Sequence, residues 1–101
     1  MPKYFQEIAL ALRPIEQAVY RGSGLSFKVD GKVMATLWPE KGESYVKLTP
    51  DQQAGFMAQD PAAIFPAPKS WGKQGWTGIK LPVVKKAMLK KILFQARENI
   101  G

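Results

Sequence analysis

The sequence predicts an α+β fold: an antiparallel β-sheet with helices packed on it, in two layers. Three observations lead there. Asp30-Gly31 separates two runs, Leu25-Ser26-Phe27-Lys28-Val29 and Lys32-Val33-Met34-Ala35-Thr36-Leu37-Trp38, whose apolar residues recur at the short period of strands. A second break, Pro39-Glu40-Lys41-Gly42-Glu43, leads into a third run, Ser44-Tyr45-Val46-Lys47-Leu48. Helical signals flank these runs, notably a capped start at Thr49-Pro50 and a long apolar stripe closing the chain. Consecutive strands set beside helices, without regular alternation of the two, form the α+β pattern.

Residues 4–12 read as a first helix, since Phe5, Ile8, Ala9 and Leu12 share one helical face. Pro14 disfavours helical geometry at Arg13, so the helix stops or kinks there. A further helical turn is expected over residues 15–20, followed by a plain turn at Arg21-Gly22-Ser23-Gly24. The Gly-x-Gly of that turn precedes a strand and not a helix, which removes the context of a phosphate loop.

Asp-Gly between alternating runs is a strong hairpin signal, because the tight turn needs positive φ and Gly supplies it without a Cβ clash. Two registers remain open. A two-residue loop sets Val29 against Lys32 and puts Leu25, Phe27 and Val29 on one face with Met34, Thr36 and Trp38. A three-residue loop with a bulge sets Val29 against Val33, Phe27 against Ala35 and Leu25 against Leu37, leaving Met34 and Trp38 on the other face. In both, the second strand is apolar on both sides, which predicts a central strand.

Thr49-Pro50-Asp51-Gln52 combines an N-cap, a proline at the first helical position and a capping-box partner. The helix is expected to run to Ala58 or Gln59, burying Ala54, Met57 and one edge of Phe56, and to end at Asp60-Pro61. Residues 62–75 carry Pro66, Pro68, Gly72 and Gly75 and are expected to be irregular, yet they include Phe65 and Trp71. A loop this long in a small domain is usually functional or packed by its own side chains. Residues 76–81 read as a fourth strand ended by Pro82. Residues 83–100 read as the last helix, with Val84, Met88, Leu89, Ile92, Leu93, Ala96 and Ile100 in one stripe and Lys86, Lys90 and Arg97 opposite.

At 101 residues the chain is expected to be one domain, residues 1–101, with enough apolar content, 46%, to bury a modest core unaided. The absence of cysteine rules out disulfides and thiolate chemistry and fits a cytoplasmic location. No run suits a signal peptide or a membrane span, so no membrane partner is expected, and a monomer is expected over an oligomer. The net charge of +7, from fifteen basic and eight acidic residues, favours polyanions.

Three strings stand out against this background: Phe27-Lys28-Val29-Asp30-Gly31-Lys32-Val33-Met34-Ala35, Asp60-Pro61-Ala62-Ala63-Ile64-Phe65-Pro66-Ala67-Pro68 and Trp71-Gly72-Lys73-Gln74-Gly75-Trp76-Thr77. With the order of elements, they make the chain resemble the MmcQ/YjbR family of small bacterial proteins over nearly its whole length, most clearly from Leu25 to Ala96. The resemblance implies a CyaY-like α+β domain and a predicted role as a double-wing DNA-binding protein. The chain departs from the family pattern at Met34, where an aromatic is frequent. It departs again in the segment before the first strand, represented here by Glu16 and Arg21-Gly22-Ser23-Gly24.

Without His or Cys, the usual bases, nucleophiles and soft metal ligands are missing. The carboxylates, Glu7, Glu16, Asp30, Glu40, Glu43, Asp51, Asp60 and Glu98, are scattered, most of them at turns or caps. The expectation is a non-enzymatic protein with no catalytic residue, no cofactor and no metal site. Candidate nucleic-acid contacts are Lys32 and Lys41 on the hairpin turns, and Lys69, Lys73 and Trp71 in the 69–76 loop, where Trp71 can stack on an unpaired base. Lys86 and Lys90 on the last helix offer a second basic surface. Trp76, at a strand start, is expected to pack inward. With only Arg13, Arg21 and Arg97, base-edge readout is disfavoured, and DNA binding is expected to be weak, salt-sensitive and non-specific. The alternative is a protein- or small-molecule-binding module using the aromatic loop from Phe65 to Trp76, extended by Met34 and Trp38.

Overall fold

Asp30 and Gly31 both take positive φ, 51° and 78°, and fold the chain back between β2 (Leu25–Val29) and β3 (Lys32–Trp38). Positive φ at both central residues gives the turn the twist that suits two antiparallel strands. The computed structural model describes residues 24–100 and the backbone of one earlier strand, β1 (Glu16–Val19). After β3 come β4 (Glu43–Lys47), α1 (Pro50–Gln59), β5 (Ile64–Pro66), the single turn α2 (Ser70–Lys73), β6 (Trp76–Lys80) and α3 (Lys86–Ile100). The strands form one antiparallel sheet in the order β1-β2-β3-β4-β6-β5.

The hairpin joins features of both expected registers. Val29 pairs with Lys32 and Lys28 with Val33, as a two-residue loop requires. The register then shifts, so that Phe27 pairs with Ala35 and Leu25 with Leu37, and Met34 has no partner opposite it. Met34 is the extra residue of a β-bulge. It is fully buried beside Ala35, which corrects the expectation that Met34 extends an exposed patch.

Beyond the bulge, alternation sorts the sheet into two faces. Phe27, Ala35, Leu37, Val46, Ile79 and Ile64 lie on one, and the stripe of α3 covers them with Leu89, Ile92, Leu93 and Ala96. Thr36, Trp38, Tyr45, Trp76 and Phe65 lie on the other. Ser44 falls on the core side, where its hydroxyl donates to the Thr36 carbonyl at 2.7 Å, so this buried polar group is satisfied.

The capping box forms as the sequence indicates: the Gln52 N–H donates to Thr49 Oγ1 and the Thr49 N–H to Gln52 Oε1, at 3.2 and 3.0 Å. The Gln52 and Asn99 side chains also exchange hydrogen bonds, tying the start of α1 to the end of α3. Helix α1 meets the core near its C-terminal end through half-buried Phe56 and Met57. Ala54, expected to be buried, lies a turn earlier and is exposed.

Four further expectations change. Within residues 15–20, Glu16–Val19 is a strand and not a helical turn. A segment this short is too costly to nucleate as a helix alone, whereas β2 offers a ready ladder. The 62–75 segment is not irregular throughout. Ile64–Pro66 pairs with β6 at the sheet edge, where a proline is tolerated, and Ser70–Lys73 makes one helical turn. The strand from Trp76 is therefore the sixth. The last helix begins at Lys86, after a turn in which the Val83 and Val84 N–H groups both donate to the Lys80 carbonyl. The expected helix over residues 4–12 and most of the 21–24 turn lie outside the described residues. Among the described residues, no helix is long and apolar enough to cross a membrane.

Candidate functional site

The face of the sheet turned away from α3 carries a groove of about 420 Å³, a size typical of ligand sites. One wall follows β3 through Val33, Thr36 and Trp38. Tyr45 of β4 lies between. The other wall is Ala67, Pro68, Trp71 and Trp76, and Lys41 stands at the rim. Period-two alternation explains the set, because Thr36 and Trp38 share a face, and Thr36 is paired with Tyr45.

The α2 segment is held against the sheet by specific bonds. The half-buried side chain of Gln53 donates to the carbonyls of Gly72 and Trp76 at 3.0 and 2.9 Å. The Leu48 N–H and the Thr77 hydroxyl both donate to the Gly75 carbonyl, at 3.1 and 2.9 Å. Gly75 has φ 104°, and a Cβ there would stand 1.8 Å from the Leu48 carbonyl oxygen, so only glycine suits the position. Lys69, at the entry to α2, takes φ 60° and ψ −146°, a conformation that L-residues rarely adopt.

These restraints place Trp71 at the edge of the groove, 56% exposed, with its ring edge-to-face against Trp76 at 6.2 Å between centroids. Three lysines lie over aromatic rings of this face: Lys41 over Trp38 at 5.6 Å, Lys47 over Trp76 at 5.9 Å and Lys80 over Phe65 at 6.0 Å. Lys47 also donates to the Gln74 carbonyl. Beside the groove, the Phe65 ring covers Gly78 and meets Tyr45 edge-to-face at 6.0 Å. Burial pushes the Tyr45 phenol above its ordinary pKa, and the Glu43 carboxylate adds to the rise through its charge and through a long contact of 3.5 Å.

Of the candidate contacts, Lys41 and Trp71 line the groove, and exposed Lys69 and Lys73 flank Trp71 on the same turn. Lys32 is exposed at the hairpin tip. Its pairing with Val29 puts it on the core side of the sheet, away from the groove. Lys86 and Lys90 are exposed on α3, also on the core side. Trp76 is half-buried and lines the groove, so it does not pack into the core as expected. Tyr45, Lys47 and Gln53 were not singled out from the sequence, although alternation from Trp38 and Thr36 across to β4 marks the first two.

A family model described as YjbR matches residues 10–99. The chain belongs to the YjbR family. The match spans the described residues except Ile100, so the groove of this YjbR protein lies wholly within the family region. No curated protein and no solved structure matches the chain.

Proposed function

We propose that this YjbR protein binds nucleic acid through the groove and its lysine rim, without catalysing a reaction. The observation that carries the reading is the convergence of Trp38, Trp71 and Trp76 with Lys41 around one opening, with Lys69 and Lys73 on the turn that carries Trp71. Lysines neutralise phosphates and release counterions, while aromatic faces stack on bases whatever their sequence. The +7 net charge adds long-range attraction for a polyanion. The want of His and Cys speaks for binding without catalysis.

Fluorescence anisotropy with labelled DNA at low and near-physiological salt tests the proposal. Affinity should fall steeply with salt, and joint Lys69→Ala and Lys73→Ala replacement should weaken binding and flatten the slope. Lys86→Ala with Lys90→Ala should leave the groove's contribution intact. If the Lys69/Lys73 variant binds as the parent does, this surface is not the one used.

The apolar character of Val33, Ala67 and Pro68 favours a second reading, a protein- or small-molecule site in the same groove. Binding of that kind would persist at high salt and depend on Trp71 more than on the lysines.

A further inference from the structure

We infer that the groove's ligand is a single strand, with an unpaired base stacked on Trp71, and not a duplex held between the hairpin tips; this rests on the nucleic-acid reading above. The first argument is the ring geometry. In an edge-to-face pair at most one ring gives up a face, whereas parallel stacking covers a face of each. Trp38 and Trp76 already have a lysine ammonium over their rings, while the Trp71 indole stands 56% exposed at the groove edge. Bases inside a duplex keep their faces against one another, so an aromatic surface presented this way is useful to unpaired bases.

The second argument is the distribution of charge. A duplex gripped by two hairpin tips needs both tips basic, because phosphate contacts supply sequence-independent affinity. Here each tip carries an acid beside its lysine, Asp30 with Lys32 and Glu40 with Lys41. The segment 67–75 carries Lys69 and Lys73 and no acid at all. Positive charge is thus concentrated beside the exposed indole. Lys69 holds that place in a backbone conformation better suited to glycine, which fits a residue kept for its ammonium group. A strand laid along this edge would set its phosphates against Lys69 and Lys73 with a base on Trp71.

The test uses one labelled mixed-sequence DNA strand, alone and annealed to its complement, titrated at fixed low salt. The single strand should bind more tightly than the duplex. Trp71→Ala should weaken strand binding by about tenfold, with Trp71→Phe retaining most of it. Strand binding should also quench tryptophan fluorescence in the parent. Circular dichroism of the variants checks that they fold. Equal or tighter binding of the duplex, with Trp71→Ala without effect while Lys69→Ala/Lys73→Ala weakens binding, would overturn the single-strand inference and leave the nucleic-acid reading standing. Binding of neither probe would overturn both.

Discussion

Replacing Lys69 by glycine should make the protein more stable and a poorer binder. Lys69 holds φ 60° and ψ −146°. Keeping an L-residue in such a region costs about 1–3 kcal/mol, and glycine occupies it without a Cβ clash. Against this gain stands the greater freedom that glycine gives the unfolded chain, about 0.4–1 kcal/mol. The side chain is exposed, so little packing is lost. The net expectation for Lys69→Gly is a gain of about 1 kcal/mol, or about 4–8 °C in melting temperature for a domain of this size. Lys69→Ala is the control, because it removes the same charge but keeps the Cβ. It should stay within about 0.5 kcal/mol of the parent. Calorimetry or thermal circular dichroism measures both. In nucleic-acid titrations each variant should lower the salt slope by about 1. If Lys69→Gly melts at or below Lys69→Ala, the backbone carries no strain at this position, and the argument that function holds a lysine there fails.

Three further outcomes are expected. In Gly78→Ala the new Cβ would lie 2.3 Å from the Phe65 ring, so the ring must move, and chemical denaturation should show a loss of about 1–3 kcal/mol. Gln53→Ala removes the bonds that tie α1 to the Gly72 carbonyl of α2 and to the Trp76 carbonyl at the start of β6, so amide hydrogen exchange should quicken at residues 70–76 before the core strands are affected. Because the folded protein holds the Tyr45 proton more tightly than the unfolded chain does, its contribution to stability is fully present below the ordinary tyrosine pKa of about 10 and is lost as pH rises through the higher folded value; Tyr45→Phe should flatten this alkaline decline, measured by denaturant titration across that range.

The parts of the fold legible in the sequence are those specified by neighbouring residues. Asp30-Gly31 marks its own turn, Thr49 and Gln52 mark their own helix start, and the stripe from Leu89 to Ala96 marks its own buried side. The edge strands are different. Glu16–Val19 and Ile64–Pro66 are too short, at four and three residues, to declare themselves and become strands because β2 and β6 present unpaired backbone to them. The groove lies between these cases. Trp71 stood out as an aromatic among lysines, and Trp38 as a candidate for the same patch. That Tyr45 and Trp76 join them depends on cross-strand register and on where α2 is pinned, neither of which a single segment encodes. Met34 was misplaced for a related reason, since one unpaired residue changes the face that the alternation assigns.

That unpaired residue bears on how the gene for this protein can vary in length. On either side of Met34 the ladder is in step, with Val33 against Lys28 and Ala35 against Phe27. Excising Met34 would leave every one of those partners facing as before. In most strands a single-codon deletion inverts the inside and outside of all that follows up to the next turn. Here it would register as the loss of one buried side chain and a straighter β3. The hairpin thus contains a site where a deletion is buffered, and the aromatic wall downstream would keep its position through such a change.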